Sequence, residues 1–406
     1  MKSLIRFPIF YFLLCCLAFC LAIPLLLYLS FKNKYKDSIP ARFFLRRIRL
    51  RFYPTYWFHA CSLGESKSYE PILEALLDQE HQARILLTCT TSTGFKYLSS
   101  LSQKYPQNLR VAYLPFEIFL PLWLPYLKNL KTLVVTEAEL WKMLFWVAKV
   151  SNAYTLLVNA RISDSSLKSY LLLSFFYRSL FSLIDQTLAQ LPIDQERLQI
   201  LGAKNIEVFG NLKIFSTPSI SFHYSKNTPI ILGASTHQGE EELILNSFIS
   251  SKAKAKLLIA PRHPERFKQV QDTLRGICQK HSLSFSNFRE SWGDVVLVNA
   301  LGELNNLYAI ADCVILGGSF EKIGGHNPIE PAFFQAPILS GKYFYNQKAL
   351  YALVENILII TPQELPQTLA SFDTLPKTKI KNHQHKMQHL IAIIQRTNQW
   401  KKPINS

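Results

Sequence analysis

Short apolar runs alternate with amphipathic stretches along most of the chain. Residues 56–60, 84–88, 111–114, 132–136, 154–158 and 207–209 are rich in β-branched, aromatic and leucine side chains and predict buried strands. Helical periodicity fills 66–77, resumes from Phe95 and returns briefly after Pro192. Near 213–229 the pattern breaks into Pro, Ser and Thr, which reads as a linker. A second series follows, with strands at 230–232, 256–260, 295–298, 313–316, 337–339 and 357–360 and helices such as 240–250 and 264–281. Strand and helix in alternation imply parallel sheets covered by helices. The expected fold class is α/β: two doubly wound, Rossmann-like domains facing one another, with a ligand at the carboxyl ends of the strands.

The N-terminus departs from this rhythm. No charged residue stands between Phe7 and Phe31. About 25 helical residues reach roughly 37 Å, enough to cross a bilayer core with some tilt; a cleaved signal peptide is the competing reading, though its apolar region would be unusually long. Lys32, Lys34, Lys36, Arg42, Arg46, Arg47, Arg49 and Arg51 follow, while only Lys2 and Arg6 precede. The positive-inside bias puts the rest of the chain in the cytoplasm. The basic run, interleaved with apolar residues, suits anionic headgroups. The expected organisation is therefore an anchor at 1–31, a first domain at 32–215, a linker at 216–229, a second domain at 230–376 and a basic tail at 377–406.

Composition narrows the function classes. An apolar share of 49% supports large cores, and a formal charge of +17 invites nucleic acid, an anionic membrane or a phosphorylated substrate. No zinc-finger spacing, RNP-like strand or arginine-rich tract supports nucleic acid. The seven cysteines include no CxxC pair and read as free thiols. His59, His237, His263 and His326 are too dispersed for a metal-ligand spacing, so no metal and no cofactor is expected.

Polar clusters stand where strands end. Residues 317–332, GGSFEKIGGHNPIEPA, join two glycine pairs, Ser319, His326, Asn327 and Glu330 at a predicted strand–helix junction. Glycine lets amides approach a ligand closely, and a helix starting near Asn327 would aim free N–H groups at an anion. Glu330 could accept from a ribose. Glu65, in HACSLGES, is either a general base facing the crevice or a carboxylate that complements a helix dipole. Glu137 and Glu139, in TEAELW, end the fourth predicted strand, and Asn159 and Arg161 end the next. Lys213 is either a cation for a leaving phosphate or an exposed linker lysine. Ser235 and Thr236 suit helix caps. Arg262 could bind phosphate, and His263 could equally cap a helix. Gly302 and Glu303 mark another helix entrance.

The ordered series HACSLGES, TTSTG, LPFE, TEAELW, LVNARISDSS, GNLK, GASTHQGEEE, PRHPERF, GELNNLYAIAD, GGS and GGHNPIEP resembles the 3-deoxy-D-manno-octulosonic acid (Kdo) transferases of lipopolysaccharide synthesis. The resemblance runs from about His59 to Gly341. It implies a GT-B glycosyltransferase that moves Kdo from CMP-Kdo to the lipid A precursor, lipid IVA, with inversion and without a metal. It also implies attachment to the cytoplasmic leaflet of the inner membrane. By the same resemblance Glu65 matches the base, and Glu139 and Lys213 match groups that stabilise the transition state. Pro261, Arg262 and His263, then Gly302, Glu303 and Leu304, then Ser319, Asn327, Pro328, Ile329 and Glu330 match the CMP-binding positions. Lys142, Glu117 and Ile329 depart from the usual Pro, Asp and Leu. A UDP-sugar transferase of the same fold and a catalytically dead, lipid-binding relative are the alternatives.

Overall fold

The computed structural model describes residues 5–43, 52–137, 140–381 and 383–396. They form two compact units, one comprising Met1–Ser216 and Gln384–Ser406, the other Thr217–His383.

The first unit is built on seven parallel strands: β1 (Tyr56–Ala60), β2 (Ile85–Cys89), β3 (Leu109–Tyr113), β4 (Thr132–Thr136), β5 (Tyr154–Ala160), β6 (Gln186–Ala189) and β7 (Ile206–Val208). Their order is β3-β2-β1-β4-β5-β6-β7. Helices cover both faces, so central strands such as β1 and β4 are buried along their whole length. Trp57 and Trp123 meet at 5.4 Å in one core layer. The helix Lys142–Val150 closes over it with residues from Met143 to Ala148 buried.

The strand β6 escapes a reading of the pattern. It is four residues long and carries Gln186 and Thr187, both buried. Nothing apolar marks its start, and the sheet rather than propensity decides it.

The second unit repeats the plan. It holds β8 (Ile230–Thr236), β9 (Lys256–Pro261), β10 (Phe285–Asn287), β11 (Val295–Leu297), β12 (Cys313–Leu316), β13 (Ile338–Ser340), β14 (Val354–Glu355), β15 (Ile357–Ile359) and β16 (Lys379–Ile380). The main sheet runs β10-β11-β9-β8-β12-β13-β15, all parallel, and β14 pairs with β16 antiparallel. The Pro-rich segment read as a linker is taken into this unit, since Asn306 Oδ1 accepts from the Ser221 amide at 2.9 Å.

Residues after Gln384 return to the first unit. The helix His383–Ile394 is held by Lys386 donating to the Phe209 carbonyl at 2.6 Å and by the Thr132 hydroxyl donating to Ile394 at 2.7 Å. The end of the basic tail, 397–406, lies outside the described residues.

An apolar helix, Ile9–Ser30, stands at the N-terminus with a mean hydropathy of 2.7, long and apolar enough to cross a membrane. Pro24 lies within it. Its first half, with Phe7 just before it, packs against the rest of the first unit. Phe7 meets Trp146 at 4.9 Å, Tyr11 hydrogen-bonds Glu117, and Phe19 packs against Phe43, Phe116 and Phe119. Glu117 also accepts the Met143 amide at 2.7 Å, and the Lys142 amine lies 5.6 Å from the Tyr11 ring. Glu117 and Lys142 thus meet beside the N-terminal apolar helix. The basic run at 44–51 lies outside the described residues.

Candidate active site

In an open parallel sheet the strands present their carboxyl ends along one edge, and a crevice opens where the strand order reverses. In the first unit that point lies between β1 and β4. Glu65 follows β1 and Glu137 follows β4, so the two carboxylates flank it.

Glu65 is held at both oxygens. The Ser62 hydroxyl donates to Oε1 at 2.6 Å, and the Cys61 amide donates to Oε2 at 2.8 Å. Ser62 in turn accepts the Glu65 amide at 3.2 Å and caps the helix Leu63–Gln79. This is a close variant of a capping box. A carboxylate offers about four lone-pair sites. Two stay available, so the capping role leaves Glu65 able to take a proton. Both readings of this residue are compatible with its geometry.

Beneath it, Tyr69 donates to the His59 carbonyl at 2.6 Å and meets the Thr136 hydroxyl, tying the end of β1 to that of β4. His59 is fully buried, with Nδ1 3.0 Å from Thr88 Oγ1. Burial, with the Arg42 charge adding to it, pushes this imidazole down to about 3. It is a neutral part of the scaffold.

The ends of β4, β5 and β6 are joined by one polar network. Asn159 Nδ2 donates to Glu137 Oε1 at 3.2 Å, and its Oδ1 accepts the Leu212 amide at 3.2 Å. Gln190 donates to the Asn159 carbonyl at 3.0 Å and accepts from Asn211 at 3.1 Å. Asn211 then accepts the Lys213 amide at 3.0 Å, capping the turn Leu212–Phe215. These bonds fix the chain around Lys213 while its side chain is exposed. Glu137 and Asn159 adopt φ of 58° and 57°, a left-handed backbone that costs roughly 1–2 kcal/mol and gathers at functional sites. Glu139 lies outside the described residues. Gln190 and Asn211 were missed in the sequence because a buried amide has no pattern of its own.

In the second unit the strand order reverses between β8 and β12. Ser235 and Thr236 belong to β8 and do not cap the helix Glu240–Ser251; Gly239 precedes it instead. The strand continues past the point where a cap was expected, and Ser235 turns at φ 55°. Gly317 is required there, because a Cβ would stand 2.4 Å from the Ser235 carbonyl oxygen.

The glycine-rich loop is held from within. Glu240 Oε2 accepts the amides of His237 at 2.9 Å and Gly318 at 2.7 Å, and Oε1 accepts those of Ser319 and Phe320, each at 3.1 Å. Burial raises the Glu240 carboxyl against these bonds. Ser319 is buried and accepts the Gly341 amide at 2.8 Å. The amides at 318–320 therefore serve a carboxylate of the protein itself.

The remaining candidates lie around this loop. Asn327 Oδ1 accepts the Ile329 amide at 3.0 Å, and its Nδ2 donates to Glu330 Oε1 at 3.1 Å. Pro328 precedes the one-turn helix Ile329–Phe333. Glu303 accepts from Tyr224 at 3.0 Å and from Asn306 at 2.8 Å, with Gly302 at φ 84° before it and Leu304 opening the next helix. Pro261 ends β9, and the exposed Arg262 and His263 follow. His263 stands ahead of the turn Pro264–Arg266 without a side-chain cap, its Nδ1 3.4 Å from Glu265.

Three of the dispersed histidines come together here. His237 Nε2 and His326 Nε2 are 2.8 Å apart, and the His263 ring is 5.3 Å from that of His237. Residues 237 and 326 lie 89 positions apart, so no local spacing could show the pair. Among the described residues no group of three His, Cys, Asp or Glu side chains has the geometry to hold a metal.

Residues 37–216 match the family described as 3-Deoxy-D-manno-octulosonic-acid transferase (kdotransferase). The 3-deoxy-D-manno-octulosonic acid transferase of Aquifex aeolicus is 32% identical over 305 residues, 74% of this chain and 79% of its own length. The one from Haemophilus influenzae is 30% identical over 329 residues, 74% of each chain. This chain belongs to the Kdo transferase family. As a Kdo transferase it is a glycosyltransferase. A solved structure, a putative UDP-N-acetylglucosamine 2-epimerase from Listeria monocytogenes, is 10% identical and matches with a TM-score of 0.54 over 84% of this chain and 96% of that one. The likeness carries the fold alone, which is GT-B. The Kdo transferase motifs fall on the strand ends of both units.

Proposed function

We propose that this Kdo transferase moves Kdo from CMP-Kdo to the lipid A precursor, lipid IVA, at the cytoplasmic face of the inner membrane. The second unit binds the donor through Pro261–His263, Gly302–Leu304, Ser319 and Asn327–Glu330, and the first unit takes the acceptor. Glu65 takes the proton of the acceptor hydroxyl as its oxygen attacks the anomeric carbon of Kdo. The bond from that carbon to the phosphate breaks on the opposite side, so the configuration inverts and CMP leaves. Lys213 and Glu139 stabilise the charges that develop. The leaving group is a monophosphate, whose charge a lysine or arginine can balance without a divalent ion.

The observation that carries this reading is Glu65 itself: oriented through both oxygens, partly exposed, and set at the strand end beside the sheet's reversal. The apolar helix supports a single-pass N-terminal anchor with the catalytic part in the cytoplasm. The formal charge of +17 suits a phosphorylated lipid at an anionic leaflet.

Calorimetry with CMP, UMP and UDP tests the donor, with and without a chelator. CMP should bind best in both conditions, and Glu330→Ala should weaken it by about 1–3 kcal/mol if Glu330 accepts a ribose hydroxyl. Tight UMP or UDP binding without CMP binding would overturn the donor assignment, and a strict need for a divalent ion in turnover would overturn the metal-independent reaction. Protease protection in vesicles of both orientations tests the anchor; a catalytic part shielded on the periplasmic side would contradict it.

A further inference from the structure

Resting on the CMP-donor reading, we propose that the His237–His326 couple is the receptor for an anionic oxygen of the donor. The couple draws a proton from solvent as that anion arrives.

Two imidazole nitrogens stand 2.8 Å apart only when one carries the proton and the other offers a lone pair. The couple thus holds a single shared N–H. It sits at the strand-order reversal of the second unit, where ligands of open α/β sheets bind. Gly318 keeps the rings in place, because a Cβ there would come within 3.1 Å of His326 and 3.5 Å of His237.

The charges around the couple are unequally committed. From the helix after β8, Glu241 acts on His237, but it is bridged by Arg266 at 2.9 and 3.1 Å and accepts from the Thr236 hydroxyl at 3.0 Å. Glu240 is occupied by the amide of His237 and by three amides of the loop. From the end of β9 come Arg262 and His263, both exposed. Arg262 forms no ion pair among the described residues, and the carboxylate near His263 is that of the exposed Glu265. The carboxylates are spoken for, and the cationic side is not.

Burial, His263 and Arg262 hold both rings below the ordinary histidine range, with His326 lowered to about 4. With no anion beside it, the couple favours its neutral form. An anion within about 4–6 Å favours the protonated form. The added proton comes from solvent and stays on a ring nitrogen. The imidazolium so formed donates to the donor's anionic oxygen, and the proton returns to solvent when the product leaves.

The donor offers two such oxygens, on its phosphate and on the Kdo carboxylate. Calorimetry of the full chain in detergent, at pH 6.5 and in two buffers of different ionisation enthalpy, counts the protons exchanged. CMP probes the phosphate alone and free Kdo the carboxylate alone. Titration of the CMP phosphate is common to every protein variant, so the difference between variants reports the couple. Wild-type protein should take up more protons than His237→Gln and His326→Gln, by at least about half a proton per bound probe. The probe that shows the difference identifies the anion. Proton counts equal in wild type and both variants, with both probes, would overturn the proposal while leaving CMP binding intact. Failure of CMP to bind the wild type at all would remove the donor reading and this proposal with it. Imidazole NMR of the wild type needs no substitution: two histidine midpoints should rise on saturation with the probe, and unmoved midpoints would contradict the proposal.

Discussion

Asn159 donates its side-chain N–H to Glu137 at 3.2 Å, linking the ends of two neighbouring strands in the first unit. The same side chain accepts the amide of Leu212, next to Lys213. One buried amide thus sets a carboxylate and a lysine-bearing turn together.

Asn159→Asp keeps the shape and reverses the chemistry. It removes the donor and sets a second negative charge beside Glu137, which like-charge repulsion disfavours. Turnover should fall at least about tenfold, and stability by about 1–3 kcal/mol for the buried partners left unpaired. CMP affinity should be unchanged, because the second unit is untouched. Steady-state kinetics with calorimetry checks both; equal loss of CMP binding would show a wider disruption.

Glu65→Gln separates the two roles of that residue. Glutamine also serves at the third position of a capping box, so the helix start and the fold should survive. It cannot take a proton at neutral pH, so kcat should drop by roughly 10²–10⁴. Near-normal turnover at saturating acceptor would move the base elsewhere, with Glu139 next in line.

The two series of strands were legible because parallel sheets bury both faces and leave continuous apolar runs, and the N-terminal apolar helix because no charge interrupts it. Strand β6 and the short β10 were not, having polar or few residues and no alternation. Of the candidate site, Glu65 and Lys213 stood out through strand-end motifs. The sequence could not show that Glu240 occupies the amides of Gly318, Ser319 and Phe320. Nor could it show the His237–His326 pair. Both are contacts between segments far apart in the chain, made only when the sheet sets β8 beside β12.

Glu240→Ala should be among the most damaging single changes in the second unit. Four backbone donors would lose a buried charged acceptor, at a cost of about 3 kcal/mol or more. Thermal unfolding should shift down and CMP affinity should fall with the loosened loop. Glu240→Gln keeps one carbonyl acceptor and should be intermediate. An unchanged melting temperature for Glu240→Ala would contradict this role.

His59 ties first-unit stability to pH. In the folded protein the imidazole stays neutral down to about 3. In the unfolded chain it takes a proton near 6.5. The unfolded state therefore binds more protons in that window, and stability is lost as pH falls through it. From pH 7 to pH 5 the loss from this residue is on the order of 2 kcal/mol. Denaturant unfolding of the wild type and His59→Asn at both values should show the smaller pH dependence in the variant. Identical pH dependence would remove His59 as the cause.

Mass spectrometry of lipid IVA incubated with CMP-Kdo and this protein tests the central claim most directly. The account expects the lipid to gain the mass of Kdo with wild-type protein and to gain almost none with Glu65→Gln over the same time. A lipid unchanged by folded, CMP-binding wild-type protein, or one modified only when a UDP-sugar is supplied, would contradict it.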